Sequence, residues 1–135
     1  MQNQSSSALI SMHPKICFYF QVHQPYRLRD LRITEIGEGD VDYFDAVKNE
    51  QVFRKVAEKC YLPANALMLD LINKYPNFHI TYSLSGVFVD QCKEYGEDVL
   101  TSFKKLADTG KVEFLAETYY HSLASIVSLE EYCEE

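Results

Sequence analysis

Lys15-Ile16-Cys17-Phe18-Tyr19-Phe20-Gln21-Val22-His23-Gln24-Pro25-Tyr26 begins as a run of β-branched and aromatic residues and ends in a polar and aromatic cluster. The run predicts a strand from Lys15 to Val22. Pro25 cannot donate to a ladder and holds Gln24 extended, so the strand should stop there. Alternation sorts the strand into two faces, with Ile16, Phe18, Phe20 and Val22 on one and Cys17, Tyr19, Gln21 and His23 on the other. One face is apolar enough to take helices and the other is small, polar or amphipathic. Parallel α/β folds build their sites at the C-terminal ends of strands, which makes His23 and Gln24 the first candidates.

Working outward, residues 1–14 are polar and Ser-rich and read as a disordered leader, with no basic start and no long apolar run of a signal peptide. Residues 26–46 read as a long charged connection, either a functional lid or disordered. A helix is expected from about Asp45, with Val52, Phe53, Val56, Cys60 and Tyr61 at helical spacing, and Pro63 should kink or restart it. Ala64, Leu67, Met68, Leu71, Ile72 and Tyr75 continue the stripe until Tyr75-Pro76 ends it. A second strand is expected over 78–84, with Ile80, Tyr82 and Leu84 facing one way and His79, Thr81, Ser83 and Ser85 the other. Short helices over 87–93 and 97–108 follow, the latter closed by Gly110. A third strand, 111–117, carries Val112, Phe114 and Ala116 on one face and Glu113, Leu115 and Glu117 on the other. Ser128-Leu129-Glu130-Glu131 is a capping box that opens a further helix just before the sequence stops, which reads as the N-terminal piece of a larger protein.

The order β, α, β, α, β calls for parallel strands with right-handed crossovers. Parallel strands are usually apolar on both faces, because helices cover both. Each strand here has one apolar and one polar face. That is the pattern of part of an α/β barrel, with helices outside and a polar site inside; an open sheet with one face in solvent is the plainer alternative.

Composition narrows the chemistry. A formal net charge of −7 repels nucleic-acid phosphates and anionic membrane surfaces, so neither is an expected partner. No stretch approaches the ~18 apolar residues of a membrane span. The four cysteines form no C-x-x-C and no zinc spacing. Cys17 falls in a strand expected to be buried and Cys60 in a helical pattern, so buried free thiols and a reducing, cytoplasmic setting are expected. Ten Tyr and eight Phe without Trp would suit sugar stacking, although core packing accounts for most aromatics. No P-loop, G-x-G-x-x-G or G-x-S-x-G occurs, so no nucleotide cofactor and no serine nucleophile is implied.

His23 and His121 stand at or beyond the ends of the first and third strands and could reach one site, with Glu113 or Glu117 nearby. A metal centre is conceivable from these residue types, but the tight histidine spacing of zinc motifs is missing, and no metal is assigned. Glu113 and Glu117 are four residues apart on one face, roughly 13 Å along a strand. A glycosidase carboxylate pair stands about 5–9.5 Å apart, so each is a binding or structural carboxylate before it is a catalyst.

Phe18-Tyr19-Phe20-Gln21-Val22-His23-Gln24-Pro25-Tyr26 resembles the first signature region of glycoside hydrolase family 57, centred on His-Gln-Pro after strand one. The stretch from Thr109 to His121, with its Gly110-Lys111-Val112-Glu113 start, resembles the second, and the α-amylase-like members are the best match. The resemblance implies a (β/α)7 barrel and retaining hydrolysis or 4-α-glucan transfer on α-1,4-glucans. It implies that His23 and Glu113 line the sugar site, and that the nucleophile Glu and the acid/base Asp belong to later signature regions. On that reading His23 hydrogen-bonds sugar hydroxyls, Gln24 shapes the loop, Glu113 holds the substrate or orients a neighbour, Glu117 is a further substrate-binding residue, and Tyr119, Tyr120 and His121 form a stacking wall. The 135 residues alone would be inactive. A non-catalytic sugar-binding relative and a metal-dependent polysaccharide deacetylase are the alternatives.

Overall fold

A computed structural model describes residues 15–134 apart from Glu38 and Asp40; the expected leader lies outside the described residues. Three parallel strands, β1 (Tyr19–Val22), β2 (Ile80–Leu84) and β3 (Val112–Leu115), form one sheet in the order β1-β2-β3. The chain crosses from β1 to β2 through α1 (Ala46–Val56) and α2 (Leu62–Lys74), and from β2 to β3 through α3 (Gly86–Tyr95) and α4 (Glu97–Ala107). Two short helices, α5 (Ala124–Val127) and α6 (Leu129–Glu134), follow β3. The fold class is α/β with parallel strands, as the alternation requires; closure into a barrel lies beyond what three strands display.

The expected apolar faces are buried only in part: Val22, Ile80 and Tyr82 lie in the core, beside Phe53 and Ala57, Ile72 of α2, Phe88 and Cys92 of α3, and Val99, Phe103 and Leu106 of α4, whereas Ile16, Phe18, Phe20 and Phe114 are exposed. Much of the aromatic excess is spent here: Phe103 meets the Tyr82 ring edge-on at 5.4 Å and the Phe88 ring at 5.8 Å, and Phe88 meets Tyr61 at 5.1 Å.

Pro63 acts one turn earlier than a simple kink. It lacks an N–H and sits in the first turn of α2, and the turn before it, Ala57–Tyr61, widens into a π-helix in which Leu62 N–H donates to Ala57 O. The axis therefore runs from α1 into α2 through a widened turn. Asp45 caps α1 by accepting from Lys48 N–H at 2.9 Å, and Gly110 takes φ +66° after α4, as its placement predicts.

Several boundaries differ from the sequence reading. β1 begins at Tyr19 rather than Lys15, because the ladder to β2 starts only where Phe18 O accepts from Thr81 N–H. The second and third strands are likewise shorter than expected, at Ile80–Leu84 and Val112–Leu115. Cys17 therefore precedes the strand and is exposed, and Cys60 is exposed on the π turn; Cys92 is the buried thiol, and burial pushes its pKa up to about 12. Staples join the two arms of the connection over 26–45: Asp45 N–H donates to Arg27 O, Arg29 N–H to Tyr43 O, and Leu28 bridges Phe44. Asn49 of α1 closes on both sides of Arg27, accepting its N–H at 2.7 Å and donating to its carbonyl. Among the described residues no helix is long and apolar enough to cross a membrane.

Candidate functional site

Register turns the polar face into a grid. Tyr19, Thr81 and Glu113 form one row across the three strands, and Gln21, Ser83 and Leu115 form the next. His23, Ser85 and Glu117 lie beyond it, past the strand ends. Ser85 N–H still donates to Val22 O, so the ladder carries this edge one residue past β2.

The side chains converge at this upper edge. Glu117 is 11 % exposed and its Oε2 accepts from Gln21 Nε2 at 3.0 Å and from Ser83 Oγ at 3.1 Å. Tyr19 OH lies 2.8 Å from Ser83 Oγ and extends the chain downward. Gln21 Nε2 also lies 2.8 Å from His121 Nδ1. Two acceptors then share one amide, which fixes its orientation: turned over, its oxygen would face the Glu117 carboxylate. His121 Nδ1 accepts from this amide in the tautomer that carries its proton on Nε2. The 3.5 Å between His121 Nδ1 and Glu117 becomes an ion pair only when the ring is protonated. Glu117 Oε1 is buried without a partner among the described residues.

His23 stands beside this group. Its ring lies 5.0 Å from that of His121, tilted by 42°, and its Nδ1 lies 2.8 Å from Ser85 Oγ. Ser85 is the N-cap of α3 and takes the Phe88 N–H on the same oxygen, so its hydroxyl proton is free for His23. Partial burial holds the His23 pKa below its ordinary value, His121 lowers it further, and Glu117 opposes both.

α3 runs along this rim and anchors the loops. Gln91 Nε2 holds Gln24 O, and Tyr26 OH reaches Glu94 at 3.4 Å. Tyr119 is latched three times: its carbonyl accepts from Val87 N–H, its hydroxyl donates to Asp90, and its ring lies over Gly86 so closely that any Cβ there would collide with it. The bond to Tyr119 lowers the Asp90 pKa and raises that of Tyr119 to about 12. The turn that follows delivers His121 at φ +55°, the left-handed region that non-glycine residues seldom occupy. His121 N–H and Ser122 N–H both return to Thr118, at 3.1 and 3.0 Å.

Of the expected site residues, the structure brings His23, Glu117 and His121 together, while Tyr119 is held against α3. Tyr120 is 63 % exposed, edge-on to Tyr119 at 4.9 Å. Gln24 is buried at 7 % and turned to α3, its Nε2 without a partner among the described residues. Glu113 is exposed at the opposite end of β3, in the row of Tyr19 and Thr81, and lines a recess there with His79 and Lys111. Gln21, Ser83, Ser85 and Gly86 belong to the site and were not singled out by the sequence; their alternation with core residues was the available signal. Among the described residues no three His, Cys, Asp or Glu side chains are grouped to hold a metal ion.

The family model described as Glycosyl hydrolase family 57 matches residues 17–135. A Methanocaldococcus jannaschii protein named "Putative alpha-amylase" is 48 % identical over 117 residues, which are 86 % of this chain and 25 % of that protein. A Pyrococcus abyssi protein named "Alpha-amylase" is 24 % identical over 98 residues, 70 % of this chain and 15 % of that protein. The chain thus spans a quarter or less of the length of these relatives. No solved structure matches.

Proposed function

The chain belongs to glycosyl hydrolase family 57, and from that premise we propose that it forms one wall of an α-glucan site in a retaining hydrolase or 4-α-glucanotransferase. The observation that carries the reading is the cluster of Gln21, His23, Ser83, Glu117 and His121 at the C-terminal strand ends, on the face opposite the core. Imidazoles offer an N–H or a lone pair to a hydroxyl, and a mostly buried carboxylate accepts from one. A saccharide is a ligand made of such hydroxyls.

Retention needs a nucleophile and an acid/base about 5–5.5 Å apart. Glu113 and Glu117 are the carboxylates on this face, and they stand at opposite ends of β3. The reacting pair in this proposal comes from sequence outside these residues. His23, Glu117 and His121 bind and orient the glucan, Tyr119 and Tyr120 flank it, and Gln24 fixes the loop from behind.

The test is product analysis with the whole protein on maltooligosaccharides, beside the 135-residue chain alone. Shortened or rearranged products with retained anomeric configuration from the whole protein, and none from the short chain, are expected. Inverted products, or activity abolished by a chelator, would overturn the retaining glucan reading; turnover by the short chain would overturn the placement of the reacting pair elsewhere.

A further inference from the structure

About one helix length from His23, the same rim holds a second recess of ≈310 Å³ between the 26–45 connection and the far end of α3. Tyr26, Phe44 and Tyr95 supply its aromatic surface, Asp42 and Glu94 its carboxylates, and Asn49 lies among them. We propose that this recess is an outer subsite that holds a glucosyl unit of an α-glucan whose other end lies at His23. The proposal rests on the glucan reading above and extends it.

Geometry sets the spacing. Ser85, which bonds His23, caps one end of α3, and Glu94 and Tyr95 lie at the other. Nine residues of helix cover roughly 14 Å, beyond a single sugar and within a short oligosaccharide. The chain between the two places is held to the helix throughout, at Gln24 by Gln91 and at Tyr26 by Glu94.

The lining chemistry selects the ligand. The Tyr26 and Phe44 rings lie 5.3 Å apart at 47°, and Phe44 is 48 % exposed, leaving aromatic surface for the C–H face of a sugar ring. Carboxylates accept several hydroxyl hydrogen bonds and donate none, which suits a polyol and repels a phosphate. Burial and the neighbouring Glu94 and Asp90 carboxylates raise the Tyr26 pKa, so its hydroxyl stays protonated as a donor. The rings are also preset: the clamp of Asn49 on Arg27 and the bridge of Leu28 to Phe44 fix both sides of the connection before any ligand arrives, which lowers the ordering cost of binding.

Calorimetric titration of the whole protein with maltose and maltoheptaose, in the native form and with Phe44→Ala or Glu94→Gln, tests this. Native protein is expected to bind maltoheptaose more tightly than maltose. Phe44→Ala should lose about tenfold of the maltoheptaose affinity, Glu94→Gln a smaller factor, and both should bind maltose unchanged, which also reports an intact fold. Maltose binding with the same length dependence in all three proteins would overturn the subsite and leave the glucan reading standing. Failure of the native protein to bind either sugar would overturn the reading beneath it. Spermidine binding that is lost in Phe44→Ala, with both sugar affinities unchanged, would assign the recess to an organic cation and overturn the proposal.

Discussion

The two ends of the sheet carry similar residues and do different things with them. At the N-terminal end, Lys15, His79, Lys111 and Glu113 border a cavity of ≈580 Å³. Their polar groups point apart: Lys111 Nζ donates to Ile72 O, His79 Nδ1 lies 3.2 Å from Asn77 O, and Glu113 has no hydrogen bond or ion pair among the described residues. At the C-terminal end Glu117 and His121 share the Gln21 amide, and the His23 ring, bonded to Ser85, lies 5.0 Å from that of His121. Volume alone does not mark a site. Convergence does, because groups held against each other by shared hydrogen bonds have defined directions, whereas solvated ones at a wide rim do not.

Glu113 and Glu117 give that contrast its sharpest test. Alanine at Glu117 removes the carboxylate that Gln21 Nε2 and Ser83 Oγ share, leaving them only His121 and Tyr19, and should lower stability by about 0.5–1.5 kcal/mol. It should also abolish saccharide binding. Alanine at Glu113 removes an exposed side chain without partners and should stay within about 0.5 kcal/mol of the native value. Denaturant midpoints and sugar titrations of both variants settle the comparison; equal effects, or a larger one at Glu113, would erase the difference drawn between the two ends.

The next effect acts through the latch. Gly86→Ala places a Cβ inside the Tyr119 ring, so the ring must leave its seat over the first turn of α3. Overpacking of this kind costs about 1–3 kcal/mol in a rigid core. Tyr119 is partly exposed, and its ring can swing away, so a loss near the lower bound is expected. The larger consequence is positional, because His121 follows two residues later. Saccharide affinity should fall more than stability does. Tyr119→Phe, which keeps the ring and removes only the bond to Asp90, should give a milder version of both effects. If Gly86→Ala bound sugar normally, the latch would be packing and nothing more.

Local pattern made much of this architecture legible. Period-two alternation separated the Tyr82 face from the Ser83 face, and Ser128 of the expected capping box accepts the Glu131 N–H. The site was legible as a list and not as a geometry. Glu113 and Glu117 look equivalent by alternation, and what separates them is reach: Glu117 stands past the strand end, where it can fold back onto Gln21, ninety-six residues away in sequence. The role of Gly86 is set by a ring thirty-three residues downstream. Cys17 read as buried because strand length was overestimated, and sheet pairing fixes strand length more than composition does. Long-range pairing has no signature in a single sequence, so its products are where the reading fell short.

The smallest expected effect concerns protons at the convergent end. His121 is one of the causes that hold the His23 pKa down, so His121→Gln should move the His23 titration upward in an NMR experiment, with burial still keeping part of the depression. The same shift sets a stability slope. The folded His23 pKa lies below the unfolded value of about 6.5, so between the two the unfolded chain binds more protons than the folded one. The contribution is fully present above that unfolded value and is lost as pH falls through it toward the folded pKa. In His121→Gln the window narrows and the slope below neutrality should flatten. Histidines at the other end offer no such coupling: His79→Gln should leave the His23 titration where it is. A His23 titration that moved as far for His79→Gln as for His121→Gln would mean that the ring contact at 5.0 Å does not set its protonation, and the two ends of the sheet would be electrostatically alike.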